Sequence, residues 1–339
     1  MLSWTEPRKT ANRIVLKNRF SGPGLDGKRV SVKDAPMDYE AIAAMFLRPT
    51  GTEPEAPVVA NTPARRLRDA AEEIATIGWW SPEAASEMRS LGHGFFDGYV
   101  WGRAASLGAD VSPSVVIAAF GVFNSALLVP VLEAAKQVSS RADILAAREK
   151  GATAGLRAVM DPSMEPVVGE TADQLLDVTL SIEPGTRVLF GALQSLPVPL
   201  DPFGRLWRAA ELVREHRGDT HLAASVAAGL SMAEMNVLTE LWLGYRVGEY
   251  SATRGFDEAA LGQAIENLGR RGWVASGAIT AAGRAFRDQL ELATDQGQSA
   301  LVQAFGSGLS VLEMSLRALS ATVLRAEAAP ADPRKRAAG

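Results

Sequence analysis

Apolar and polar positions recur along this chain with the period of α-helices, and the breaks between runs carry start and stop signals. In "TPARRLRDAAEEIATIG", Thr62 stands where an N-cap belongs and Pro63 occupies the first helical position. Leu67, Ala70, Ala71 and Ile74 then fall on one face, and Gly78 closes the run. The device repeats in "SPEAASEMRSLG" with Ser81, Pro82 and Gly92, and again at Ser112–Pro113. The most apolar run, "VSPSVVIAAFGVFNSALLVPVLEAA" (111–135), approaches the length of a membrane span. Asn124, Pro130 and the lack of flanking basic residues make it a buried core helix instead, and no membrane partner is expected. Further helices are predicted at 139–159, 167–181 and 185–194.

Between the second and third of these signals lies "GHGFFDGYVWGRAASLG". Gly94, Gly98 and Gly102 stand four apart and share one helical face, which lets another backbone or a ligand approach closely. Close helix crossing is the simpler of the two. Arg103 follows in the same apolar setting, where a guanidinium needs a carboxylate, a carbonyl or an anionic ligand. "SLPVPLDPFG" then brings Pro197, Pro199 and Pro202 close together and marks a domain boundary.

Beyond that boundary the order of elements changes. "FGRLWRAAELVREH" reads as a helix, "RGDT" as a turn, and Asp219 as the N-cap of the next helix, "HLAASVAAG". Ser231 and Glu234 form the S-x-x-E capping box of "SMAEMNVLTELWLG". The looser "YRVGEYSATRG" leads to a helix capped by Asp257, with Phe256 placed to staple onto Leu261. "WVASGAIT" supplies two short strands around a Ser-Gly turn, and a helix follows. Three helices, a hairpin and another helix are the layout of a winged helix-turn-helix. The expected fold is thus mainly α, a helical N-terminal domain plus a winged helix-turn-helix domain with a short wing.

The predicted organisation is a basic, Pro-rich, disordered extension over 1–61, holding a short helix around "DYEAIAAMFL", then a helical domain over 62–200. A winged-helix domain over 201–296, a C-terminal helix over 297–327 and a disordered tail over 328–339 complete it. In that last helix Leu309, Leu312, Leu316, Leu319 and Val323 form one stripe, which either packs home or pairs in a homodimer through 304–327.

Charge and composition narrow the chemistry. The absence of cysteine excludes disulfides, thiolate nucleophiles and Cys-ligated metals, and fits a cytoplasmic protein. No P-loop, G-x-S-x-G elbow or G-x-G-x-x-G following a strand is present, so no cofactor is expected and an enzyme is not indicated. The net charge is −4, and across 203–296 ten Arg face twelve Asp and Glu, a poor footprint for phosphate binding. The outward face of 257–271 offers Asp257, Glu258, Gln263, Glu266 and Asn267. Arg270 and Arg271 at its end, with Arg284 and Arg287 on the helix after the wing, are the candidate DNA contacts.

"REHRGDTH" (214–221) gathers two of the three histidines with Arg214, Glu215, Arg217 and Asp219. A metal reading of His216, Asp219 and His221 lacks the three- or four-residue ligand spacing of one helical face, and no metal is expected. A helix corner held by capping and ion pairs is the default. The alternative is a pocket for a small molecule of unknown identity, lined by Arg103, Asn124, His216, Arg217, Asp219 and His221, with walls from the tryptophans at 79, 80, 101 and 207. A His/Asp acid–base pair is the third alternative.

The segment "LGRRGWV…AITAAGRAFRDQL" resembles the recognition helix and wing of MarR-type regulators. Together, "GYVWGRAASLG", "LVREHRGDTHLAASVAAGL" and "LTELWLG…LGRRGWV…ITAAGRAF…TD" resemble a little-characterised actinobacterial helix-turn-helix family, which shares an "HRGDxH" corner and a "GRAAxxG" helix. The resemblance covers roughly 62–325, with Ser106 where the family pattern has proline. It implies a helix-turn-helix fold and no established reaction. The function expected is that of a ligand-binding, sensor-like regulator with a winged-helix output, a direct DNA-binding transcription regulator being the alternative.

Overall fold

The computed structural model describes residues 37–49 and 55–337. The expectations for the rest of the 1–61 extension lie outside the described residues. The short helix expected there is α1 (Tyr39–Leu47). A helical assembly follows: α2 (Pro63–Trp80), α3 (Pro82–Ser90), α4 (Phe95–Ala104), α5 (Pro113–Phe120), α6 (Ser125–Val138), α7 (Arg141–Val159), α8 (Glu165–Thr179) and α9 (Val188–Gln194). Then come α10 (Pro202–Ala227), α11 (Met232–Trp242), α12 (Glu258–Arg270), the strands β1 (Val274–Ala275) and β2 (Ala278–Ile279), and α13 (Ala281–Gln296). α14 (Ser299–Phe305), α15 (Leu309–Arg325) and α16 (Pro333–Ala337) close the chain.

Local signals set most helix starts. The Thr62 hydroxyl accepts from the Arg65 N–H at 3.0 Å, and the Ser81 hydroxyl from the Ala84 N–H at 3.1 Å. The long apolar helix expected over 111–135 is instead two helices. Gly121 ends α5 at φ +62°, and a Cβ there would run into the Leu222 side chain. Asn124 then caps α6, its side-chain oxygen accepting from the Ala126 N–H at 2.9 Å. On α4 the glycine face admits side chains rather than another backbone. Gly94 is the N-cap, while Gly98 and Gly102 admit the side chains of Met88 and Arg148.

The largest departure from expectation is α10. It runs unbroken for 26 residues, about 39 Å, straight through the supposed corner at 217–220. Gly218 costs about 1 kcal/mol against alanine inside a helix. Burying one large apolar side chain returns ~1.5–3 kcal/mol, and α10 buries Phe203, Leu206, Trp207, Leu212 and Val213. Packing decides the outcome.

Among the described residues three large apolar cores follow from this arrangement, with a small fourth around Trp242, Leu243 and Tyr245. One gathers Leu67 and Ile74 of α2, Leu156 of α7, Leu175 of α8, Trp207 of α10 and Leu316 of α15, so it draws on both sides of position 200. A second joins Trp101 of α4, Val116 of α5, Leu128 of α6 and Ile144 of α7. The third belongs to the winged helix: Leu238 of α11, Leu261 and Leu268 of α12, Val274 of β1 and Leu290 of α13. The Leu309–Val323 stripe of α15 is buried within the chain, chiefly on α2, rather than left open for a second copy. No single helix among the described residues is long and apolar enough to cross a membrane.

The segment after α15, expected to be disordered, is folded through Ala337. Its Ala331 N–H donates to Phe46 O at 3.0 Å, Asp332 accepts from the Tyr245 hydroxyl at 2.7 Å, and Arg336 pairs with Glu73 at 3.1 Å. Those partners lie on α1, just past α11 and on α2. They were out of reach of a local sequence window.

Candidate ligand cavity and helix-turn-helix surface

The "REHRGDTH" stretch lies largely buried within α10, and most of its polar groups have a structural task, although His216 Nε2 meets no hydrogen-bond partner among the described residues. Asp219 does cap a helix, but not its own. It accepts the Phe190 N–H at 2.9 Å, the third residue of α9, whose N-cap Arg187 makes no side-chain cap bond. His216 lies edge-on to the Phe190 ring at 4.9 Å between centroids. His221 Nδ1 stands 3.0 Å from the Thr294 hydroxyl, which itself donates to Leu290 O, so His221 carries its proton on Nδ1. Burial pushes both histidines down to about 3. Burial first, and the nearby Glu215 second, push Asp219 up to about 7.

These shifts oppose one another in stability. As pH falls below the ordinary histidine value of about 6.5, each ring takes a proton in the unfolded chain and stays neutral in the folded one, so stability is lost. Asp219 works the other way: between about pH 7 and 3.8 the folded chain holds a proton that the unfolded chain releases, so its cost shrinks on acidification. Asp219→Asn keeps an acceptor for Phe190 and removes the buried charge. The variant should be more stable than wild type at pH 8, by up to about 4 kcal/mol. That advantage should shrink by about 1.4 kcal/mol per pH unit below pH 7 and vanish near pH 4. Urea unfolding at pH 5, 6 and 8 reads this directly, and parallel curves for the two proteins would contradict it.

Arg217 and Arg287 belong to a buried ion cluster centred on Glu291 of α13. Arg217 Nη2 lies 2.5 Å from Glu291 and 3.1 Å from Asp295, and Arg287 Nη1 lies 2.5 Å from Glu291. Arg65 of α2 adds a third contact at 3.1 Å. These cations hold the Glu291 carboxyl well below the usual carboxylate range. The cluster ties the winged helix to α2 and α10. Arg103 has found the carboxylate it needed: Glu215, at 2.8 Å, with the Tyr99 hydroxyl at 2.9 Å. Among the described residues no group of three His, Cys, Asp or Glu could hold a metal.

The structure also holds an aromatic cavity, and none of Arg103, Asn124, His216, Arg217, Asp219 and His221 lines it. That cavity, about 900 Å³ counted out to its open mouth, lies between α1, α2, α4, the tail and the connector joining α11 to α12. Trp79 and Trp80, two of the tryptophans expected to wall a pocket, do line it, while Trp101 and Trp207 are core. Phe95, Phe96 and Tyr99 of α4 continue the wall, and Tyr39 of α1 stacks on Phe96 at 4.0 Å. The chain has only 7 Trp, 4 Tyr and 11 Phe, so the gathering of eight of them here is a concentrated feature. A sequence signal existed, since aromatics cluster over 79–101, but only the fold adds α1 and Tyr250.

The connector forms the wall nearest the winged helix. Glu240 of α11, fully buried, accepts from the N–H groups of Gly248, Tyr250 and Ser251 at 2.8–3.0 Å and from the Ser251 hydroxyl at 2.8 Å. Burial nevertheless holds its carboxyl above the ordinary value. The bonds shape the single turn Ser251–Arg254, which presents Tyr250, Thr253 and Arg254 to the cavity. From outside, the Tyr39 hydroxyl donates to Thr253 O at 3.1 Å and the Asn124 N–H to Arg254 O at 2.8 Å. Asn124 is therefore a fixing point for the connector as well as a cap.

Past the connector the helix-turn-helix follows its sequence signals closely. Ser231 and Glu234 complete the capping box, Asp257 accepts from the Ala260 N–H at 2.8 Å, and Thr280 caps α13. The hairpin pairs Val274 with Ile279 and Ala275 with Ala278. Ser276 and Gly277 both take positive φ, 49° and 75°, as a two-residue type I′ turn requires. Glu258, Gln263, Glu266 and Arg270 are exposed along α12, and Arg271 and Arg284 are exposed beside it. Arg287 is not: it is fully buried under Trp242 and cannot reach a phosphate, which removes it from the candidate DNA contacts.

A capped helix pair, a short wing and a following helix define a winged helix-turn-helix protein. A family model described as a helix-turn-helix family matches residues 64–330, and the chain belongs to that family. No curated protein and no solved structure matches the chain.

Proposed function

We propose that the protein is a DNA-binding regulator whose winged helix answers to a small molecule held in the aromatic cavity. One observation carries the proposal. The connector wall of the cavity, Tyr250 to Arg254, runs into Asp257, the N-cap of α12, within three residues. A ligand that favours one position of this turn therefore biases the position of α12, the element a winged helix lays in the major groove. Family membership supports the DNA-binding half of the proposal. The exposed acids of α12 argue for weak phosphate attraction, and they favour a second reading in which the same surface docks a basic partner protein.

DNA binding is tested with the full chain on mixed genomic fragments across a salt series. Saturable binding should appear at low salt. Replacing Arg270 and Arg271 together with alanine should weaken it for all sequences and reduce the log–log salt slope by about 2. No binding at 50 mM salt would sink the DNA reading and leave the protein-contact one.

A further inference from the structure

Charge in the aromatic cavity is strongly one-sided. Its lining holds four cations, Arg214, Arg254, Lys335 and Arg336, and one carboxylate, Glu72. Two of the four are already matched within the chain: Arg214 with Glu215 at 2.9 Å and Arg336 with Glu73 at 3.1 Å. Arg254 and Lys335 are not. Among the described residues neither has a carboxylate within ion-pairing distance, and Arg254 Nε is buried without a hydrogen-bond partner. Arg254 instead faces rings and hydroxyls: Phe123 at 4.8 Å, Tyr250 at 4.7 Å, and the Tyr250 hydroxyl at 2.7 Å. Lys335 rests against Phe46 at 3.9 Å and Tyr250 at 4.9 Å. Both cations thus flank the same tyrosine, one from the connector and one from the tail.

Arg254 and Lys335 are half-buried, and a cation taken that far from water without a counter-charge is costly, a cost ring contacts offset only in part. Burial first, and the neighbouring Arg254 second, push the Lys335 ammonium down to about 7, with Asp332 and Glu240 offsetting only part of that. The nearest acids are engaged elsewhere. Asp332 is held by Arg334 and Tyr245, and Glu240 by the connector amides.

We propose that the cavity binds an aromatic anion, with its flat ring among Trp79, Trp80 and Phe95 and its anionic group between Arg254 and Lys335. The ring walls supply apolar and stacking contact, and the two cations supply charge-assisted hydrogen bonds. The occupant would bridge the connector to the tail, fastening Tyr250–Arg254 to the segment that also contacts α1 and α2. This inference rests on the ligand-responsive reading above and names the class of ligand.

The test uses the full chain without DNA and follows quenching of tryptophan fluorescence, with calorimetry as the second readout. The probes are 1-naphthoate, 1-naphthyl phosphate and the neutral 1-naphthamide. Either anion should bind on the order of tenfold tighter than the amide, and comparison of the two anions tells a carboxylate site from a phosphate site. Arg254→Gln and, separately, Lys335→Gln should each erase the preference while leaving amide binding in place. The lysine variant, altered on a five-residue terminal helix, keeps the test open if the arginine variant fails to fold. Equal binding of amide and anions, a preference that survives both substitutions, or no saturable binding of any probe at millimolar concentration would overturn the proposal. Tight amide binding without anion preference would spare a ligand-responsive regulator. Anion binding by a protein that ignores DNA would spare the site and remove the DNA output.

Discussion

A Glu291→Ala variant should lose about 3–5 kcal/mol of folding stability, the cost of leaving buried cations without their carboxylate. Glu291 accepts from three helices at once: Arg65 of α2, Arg217 of α10 and Arg287 of α13. The three arginines do not depend on it equally. Arg65 retains Asp69 at 2.9 Å, and Arg217 retains Asp295 at 3.1 Å. Arg287, fully buried, is left with only the Trp242 ring at 4.5 Å. Arg287→Met, which removes the stranded charge and keeps an apolar stem on that ring, should therefore cost less than Glu291→Ala. Adding Arg287→Met to the Glu291→Ala variant should restore part of the loss. Urea unfolding of the four proteins measures this as a double-mutant cycle. A Glu291→Ala cost under about 1 kcal/mol, or strictly additive effects, would mean that the cluster is hydrated and not the joint inferred here.

Glu291 also shows which parts of this protein can be read from its sequence. Capping is written within four residues, so Thr62, Ser81, Ser231, Asp257 and Thr280 all stand where local chemistry places them. The hairpin is legible for the same reason: Ser276–Gly277 between two short apolar stretches marks a tight turn, and both residues take positive φ there. Asp219 looks like the cap of the residues that follow it, but the helix it caps lies 29 residues earlier, and no window over 217–220 could show that. The same blindness produced a false turn. Gly218 and Asp219 look like a break until the cores on both sides of α10 are known to hold it straight. Partners 226 and 74 residues away made Glu291 an unremarkable helical acid in sequence. The cavity was the least legible feature, since its walls come from α1, α2, α4, the connector and a tail whose composition suggested disorder.

Glu240→Ala should have a smaller effect on global stability than Glu291→Ala and a larger one on function. The substitution strands three backbone N–H groups and one hydroxyl that now share a single carboxylate. Each buried donor left unmet costs about 1–3 kcal/mol, but the connector can swing outward and rehydrate, so the full sum is not realised. Glutamine does not rescue the site. Each carboxylate oxygen accepts two donors, and an amide NH₂ in either position would face two of them. In hydrogen exchange, the amides of Gly248, Tyr250 and Ser251 should lose protection in both variants while those of α10 keep theirs. Binding of 1-naphthoate should weaken on the order of tenfold or more, because the backbone that carries Tyr250 and Arg254 is held by these bonds together with the contacts from Tyr39 and Asn124. Uniform loss of protection across α10 and the connector would make Glu240 a residue of the general core. Unchanged naphthoate affinity with a locally opened connector would separate the cavity from the helix-turn-helix, and the route from ligand to α12 would then have to run through the tail or α1.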